Sequence, residues 1–119
     1  KIVIGAGFYG FVVKNVDSEN YGLGQAGKSG GETKYKDIVL NYTSARGYSS
    51  YWDSIAKAPY LYCKEEKTFI TFDNAESCRL KTKYAIEKKL GGIMFWKING
   101  DTDGNELLDA IYQESIKMK

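Results

Sequence analysis

The residues best suited to chemistry lie in a short apolar run, Ile93-Met94-Phe95-Trp96, preceded by Leu90-Gly91-Gly92 and followed by an Asn/Gly/Asp-rich turn. In an extended strand, residues two apart share a face. Met94 and Trp96 then point one way, while Ile93 and Phe95 point the other, toward flanking helices. An indole at a strand end offers a flat apolar surface with one polar edge. The C–H face of a sugar stacks on such a surface, and its hydroxyls then need polar neighbours. Packed inward, the same ring is an ordinary core residue, and the residues alone leave both readings open.

Other reactive patterns are weaker. Gly22-Leu23-Gly24-Gln25-Ala26-Gly27-Lys28-Ser29 fits G-x-x-x-x-G-K-[ST] by letter. A phosphate loop needs a buried strand before it and a helix after it, so that backbone N–H groups converge on the phosphate. Here a polar run, Lys14 to Asn20, precedes it and Gly30-Gly31 follows, so a flexible loop is expected. The absence of histidine excludes histidine bases, the usual catalytic triads and most zinc sites. No cofactor or metal is expected. Asp101-Thr102-Asp103 reads as a turn and helix cap rather than an acid pair. Cys63 and Cys78 are too few for a structural metal site and are either paired or separate buried thiols.

These residues must be positioned by one core, with a lobe attached. The 119 residues are too few for a whole (β/α)8 barrel, which needs roughly 250. A net charge of +2 is too small to steer nucleic acid. The basic residues from Arg79 to Lys89 are interspersed with acids and read as a solvated helix face. No stretch approaches the roughly 18 apolar residues of a membrane span. The chain opens on strand-like residues without the pattern of a signal peptide. The ten tyrosines suit both carbohydrate surfaces and exposed sheets.

Ile2 to Ala6 predicts a strand covered on both faces, ending at the glycine-rich Gly5 to Gly10. Phe11 to Val16 predicts a second strand, and Asn20 to Glu32 a loop. A short helix follows over Tyr35 to Leu40. Strands are expected around Gly47 to Ile55, Tyr60 to Cys63 and Thr68 to Phe72, forming a small antiparallel sheet with Phe11 to Val16. Trp52, Tyr60, Ile70 and Phe72 are its candidate core. Asp73 or Asn74 caps a helix to about Lys89, with Asp73 and Glu76 at capping-box spacing. Cys78, Thr82, Ala85 and Lys89 lie on one stripe of this helix, and Leu80 and Tyr84 extend the neighbouring face. A last helix over Asp103 to Lys117 turns Leu107, Leu108, Ile111 and Ile116 inward. The first and last strands can pair in parallel because a helix supplies the crossover.

Lys1 to Gly10, Trp52-Asp53, Ala58-Pro59-Tyr60, Phe72-Asp73-Asn74 through Ser77, Lys81, Tyr84, Leu90 to Trp96 and Gly100-Asp101 together resemble the C-terminal part of glycoside hydrolase family 18, the chitinases and their relatives. The resemblance covers nearly all of the chain but less than half of a family barrel. It implies an α+β fold: an antiparallel lobe, residues 11–72, inserted into a two-stranded parallel fragment of a TIM barrel, residues 1–10 and 73–119. It implies that Trp96 floors the sugar subsite, that Tyr9 lines the same cleft and that Met94 lies nearby. Family chemistry is retaining and substrate-assisted, with an acid from a D-x-x-D-x-D-x-E motif that does not occur here. Gly7, Phe11 and Lys97 depart from a common Pro, Arg and Glu.

The expectation is therefore the C-terminal segment of a chitinase-like hydrolase of β-1,4-linked N-acetylglucosamine polymers, supplying a stacking wall and no catalytic acid. A non-catalytic carbohydrate-binding or interaction module is the alternative. Its partners would be a glycan, the N-terminal barrel half and a second copy through open strand edges, with no nucleic acid and no membrane. Family resemblance implies a secreted, periplasmic or cell-surface location.

Overall fold

Two sheets of different character form from this sequence. The computed structural model describes residues 1–117. Along the chain it contains β1 (Val3–Gly7), β2 (Tyr9–Lys14), β3 (Lys28–Lys34), α1 (Tyr35–Asn41), β4 (Ser49–Asp53) and β5 (Ala58–Cys63). These are followed by β6 (Thr68–Phe72), α2 (Ala75–Glu87), β7 (Gly92–Trp96) and α3 (Glu106–Lys117). β1 and β7 pair in parallel, with Val3 opposite Gly92 and Gly7 opposite Trp96. The strands between them make a five-stranded antiparallel sheet in the order β3-β2-β6-β5-β4. The α+β architecture expected from the sequence is the one observed.

Each sheet has its own core. Ala6 and Phe8 pack with Cys78 of α2, Leu107, Ala110 and Ile111 of α3, and Tyr35, with Ile93 and Phe95 against them. The Phe8 and Phe95 rings stack at 4.9 Å and 7°. In the larger sheet, Val12, Leu61, Cys63 and Ile70 pack under Ile38 of α1 and Tyr48. The two cores meet at Phe72, which touches both. The Tyr35 hydroxyl also donates to Glu106 Oε2 at 2.7 Å, joining α1 to α3.

Several local expectations differ from what forms. The glycine-rich loop ends in β3, whose residues are almost all exposed. Pairing with β2, broken by a bulge between Phe11 and Val13, holds this edge strand despite its poor β-propensity. β1 is not covered on both faces: Val3, which shares a face with Gly5 and Gly7, is exposed, because that face of its two-stranded sheet is bare. Trp52 is 40% exposed and lies outside the lobe core, since it stands on an edge strand opposite Pro59. Tyr60 and Ile70 are buried as expected. Ile116 is exposed near the end of α3.

The cap of α2 is Asn74 in a reciprocal pair with Ser77, rather than Asp73 with Glu76. The two thiols are free and buried, one in each core. Burial pushes the Cys78 thiol up to about 12, so it is an inert packing group.

Candidate functional site

The bare face of the two-stranded sheet is where Trp96, Tyr9 and Met94 come together. Alternation along β7 sends Ile93 and Phe95 into the helices and leaves Met94 and Trp96 on the other side, 48% and 44% exposed. Directly opposite them in register stand Gly5 and Gly7. A Cβ at Gly5 would lie 3.1 Å from the Trp96 ring, and one at Gly7 would lie 2.6 Å from the Tyr9 ring. The two glycines thus remove the side chains that would lift both rings off the sheet. Tyr9 meets Trp96 with centroids 6.0 Å apart at 53°.

The ends of both strands are tied at this point. The Phe8 amide donates to the Trp96 carbonyl at 3.0 Å, and the Tyr35 amide donates to the Phe8 carbonyl at 3.1 Å. The backbone around the two rings is therefore held by β7 on one side and by the start of α1 on the other. The Trp96–Lys97 peptide is cis.

Tyr9 and Trp96 form a ridge between two concavities. One, of about 390 Å³, has Gly5, Gly7 and Phe11 beside the ridge and Ala56 to Ala58 of the β4–β5 hairpin across from them. The other, of about 240 Å³, runs between the ridge, Glu32 to Lys34 of β3, and Lys97, Asn99 and Gly100. Concavities walled by aromatic rings with polar groups at the rim are suited to binding a small polar ligand.

The carboxylates nearby are committed elsewhere or exposed. Asp73 Oδ2 accepts from Lys81 at 2.6 Å and Oδ1 from the Ser77 hydroxyl at 2.8 Å, while Lys81 also donates to the Gly5 carbonyl at 3.3 Å. Asp101 is buried, with Oδ1 accepting from the amides of Thr102 and Leu107 and Oδ2 from that of Leu108. It is the anchor of α3, as its sequence context suggested. Glu32 is exposed at the rim of the smaller concavity. The phosphate-loop letters lead into β3 rather than a helix, so no helix N-terminus completes a phosphate cradle.

Two features of the site were not singled out from the sequence. The alternation Gly5-x-Gly7 opposite Met94 and Trp96 was a visible signal for a cleared face. The hairpin at Ala56 to Ala58 gave none, because its approach to β1 depends on how the two sheets meet.

A family model described as glycosyl hydrolases family 18 matches residues 1–101. The chain is 38% identical to Chitinase A1 of Niallia circulans over 85% of its own length and 16% of that protein. Chitinase ChiW of Paenibacillus sp. FPU-7, a cell-surface-expressed multi-modular enzyme, superposes with a TM-score of 0.90 and 42% identity. That match covers 98% of this chain and 14% of ChiW. A family 18 N-acetylglucosaminidase from Paenibacillus barengoltzii superposes with a TM-score of 0.84 and 40% identity, over 96% of this chain and 33% of that one. The chain thus spans a third or less of each of these relatives.

Proposed function

We propose, for a chain that belongs to glycosyl hydrolases family 18, that it forms the stacking wall of a cleft for β-1,4-linked N-acetylglucosamine polymers and supplies no catalytic acid. In this reading residues 1–10 and 73–119 are the barrel segment, with 118 and 119 outside the described residues, and 11–72 are the inserted lobe. Trp96 is the platform under one sugar ring, Tyr9 its neighbour and Met94 the apolar border. The observation that carries the reading is the bare face on which Gly5 and Gly7 clear room for the Trp96 and Tyr9 rings. An exposed Trp96 against a half-buried Tyr9, on a backbone tied at both strand ends, is preorganised for a ligand.

The acid of the reaction would come from another part of the barrel, because Asp73 and Asp101 are both engaged in structural hydrogen bonds. The second reading is a binding module without cleavage. In either case the 119-residue chain should bind N-acetylglucosamine oligomers weakly, in the millimolar range, and hydrolyse none. Trp96→Ala should weaken binding by about 1–3 kcal/mol, by analogy with aromatic platforms under nucleic-acid bases, with the fold intact. The measurement is an oligosaccharide titration followed by tryptophan fluorescence and NMR, with a hydrolysis assay alongside. Equal affinity in wild type and Trp96→Ala removes the stacking role. Turnover that survives repurification and disappears on substituting Asp101 overturns the missing acid.

A further inference from the structure

The turn at Glu19–Gly22, between β2 and β3, holds a tyrosine outward on a costly backbone. Asn20, Tyr21 and Gly22 are all left-handed, with φ of 51°, 54° and 84°, a region that a bulky side chain rarely enters. A Cβ at Gly22 would lie 2.6 Å from the Tyr62 ring, so the turn rests directly on that ring. The Tyr62 hydroxyl in turn donates to the Val16 carbonyl at 2.6 Å. Tyr21 is thereby carried over Tyr51, where the two rings stack at 5.0 Å and 25°. One face of Tyr21 lies on Tyr51, yet the residue is 60% exposed, so the rest of the ring is open.

The ring borders a concavity of about 390 Å³ whose walls include Ser49, Tyr51, Tyr62, Lys64 and Glu65. It shares no residue with either concavity beside Trp96. The Ala56 to Ala58 hairpin joins β4 and β5 at the cleft end, whereas Ser49 pairs with Tyr62 near the other end. Four steps along β4, from Asp53 to Ser49, span roughly 13 Å at about 3.3 Å per residue. Lys64 and Glu65 are exposed, and among the described residues neither is in an ion pair. One ammonium and one carboxylate balance, which favours a neutral ligand over an ionic one. An N-acetylated sugar presents a C–H face, hydroxyls and one acetamido group, whose N–H donates and whose carbonyl accepts. Tyr21 offers the plane, Ser49 a hydroxyl, Glu65 the acceptor and Lys64 the donor. A sugar without the acetamido group leaves that pair unmatched.

We infer that Tyr21, Lys64 and Glu65 form a second glycan-binding site, at the end of the lobe remote from Trp96, which takes one N-acetylated sugar and discriminates against unacetylated ones. A polymer bound there is held by the lobe itself, apart from the cleft. The site goes beyond the stacking-wall reading and does not depend on it, because its rings, rim and backbone are separate.

The test titrates the 119-residue chain with the tetrasaccharides of N-acetylglucosamine and of glucose, following amide NMR shifts. The amides of Ser49, Tyr51 and Glu65 should respond to the first and several-fold more weakly to the second. Tyr21→Asn keeps a residue that tolerates the left-handed backbone and removes the ring. It should weaken this response by roughly fivefold or more, the low end of one aromatic stack, while Tyr21→Phe retains it. Lys64→Met combined with Glu65→Gln should remove the preference between the two ligands. Trp96→Ala should leave all of this unchanged. Dispersed spectra report the fold of each variant, and if Tyr21→Asn loses dispersion the double variant, on exposed side chains, carries the test. A silent distal end in wild type, or an undiminished response in a folded Tyr21→Asn, overturns the site. Equal response to both tetrasaccharides overturns the recognition by Lys64 and Glu65. A distal response that disappears in Trp96→Ala is a relay from the cleft and overturns the second site while leaving the wall standing.

Discussion

The two sheets use aromatic residues in opposite ways. In the antiparallel sheet, Tyr21, Tyr51, Tyr60 and Phe69 stack ring on ring at 5.0 to 5.2 Å, so the inner rings turn their faces to one another. Tyr60 is buried as a result. On the parallel sheet, Trp96 meets only the tilted ring of Tyr9 from the start of β2, and it keeps a large part of its surface open. Composition alone does not separate these roles. Inward of Tyr21, the first set closes a surface and contributes to packing, while the second leaves a surface that a ligand can close. The difference follows from strand number: five paired strands offer cross-strand neighbours to most rings, whereas two strands with glycines at Gly5 and Gly7 offer few.

The largest effect that sharpens this contrast is expected on the covered face of the parallel sheet. Phe8 has no exposed surface and stacks on Phe95, so Phe8→Ala should cost about 3–5 kcal/mol. Trp96→Ala, which removes a side chain 44% exposed on the bare face, should cost far less. Urea unfolding of the two variants measures this. Comparable losses would mean that the bare face is a core after all.

An intermediate effect is expected at the joint between the two regions. Tyr35→Phe removes the hydroxyl that donates to Glu106, at a cost of roughly 1–2 kcal/mol. Burial, then the bond to Glu106, raises the Tyr35 hydroxyl above the usual tyrosine range. The stabilisation from this group is therefore complete below the unfolded value of about 10 and is lost as pH rises above it toward the folded value. Tyr35→Phe should flatten that alkaline loss, as read from urea midpoints between neutral and strongly alkaline pH. An unchanged alkaline slope would place the sensitivity elsewhere.

The smallest effect is confined to the antiparallel sheet. Glu66 accepts from Arg46 at 2.9 and 3.1 Å and from the Tyr48 hydroxyl at 2.8 Å. The bonds from Arg46 and then Tyr48 hold its carboxyl below the usual range. Its contribution is present above the unfolded value of about 4.3 and lost as pH falls toward the lower folded one. Because the Arg46 and Glu66 side chains are 46% and 34% exposed, solvent screening keeps the effect small. Glu66→Gln should slightly reduce the acid sensitivity of unfolding, and hydrogen exchange should register it in the antiparallel sheet rather than in β1 and β7. Changes of equal size in both sheets would show them unfolding as one unit.

Local sequence carried much of this protein. Alternation in Ile93 to Trp96 determined which residues face the helices and which face outward. The spacing of Cys78, Thr82 and Ala85 marked the buried stripe of α2, although Tyr84 and Lys89, read with it, are exposed; the apolar spacing of α3 marked most of what it buries, and the order of strands and helices determined the α+β class. The strand end singled out Met94 and Trp96 as candidates for a sugar site, and only the family resemblance added Tyr9.

Other features belong to the tertiary structure alone. β3 exists because β2 offers it an edge to pair with, which no propensity of Lys28 to Lys34 announces. Trp52 is exposed because its strand is the last in the sheet, a matter of strand order rather than residue type. The contact between Trp96 and Tyr9 arises where two sheets, formed from distant segments, bring β7 beside the start of β2. Periodicity acts over a few residues and fixes the faces of single elements. Which faces remain bare depends on how many neighbours each element finds, and only the folded chain decides that.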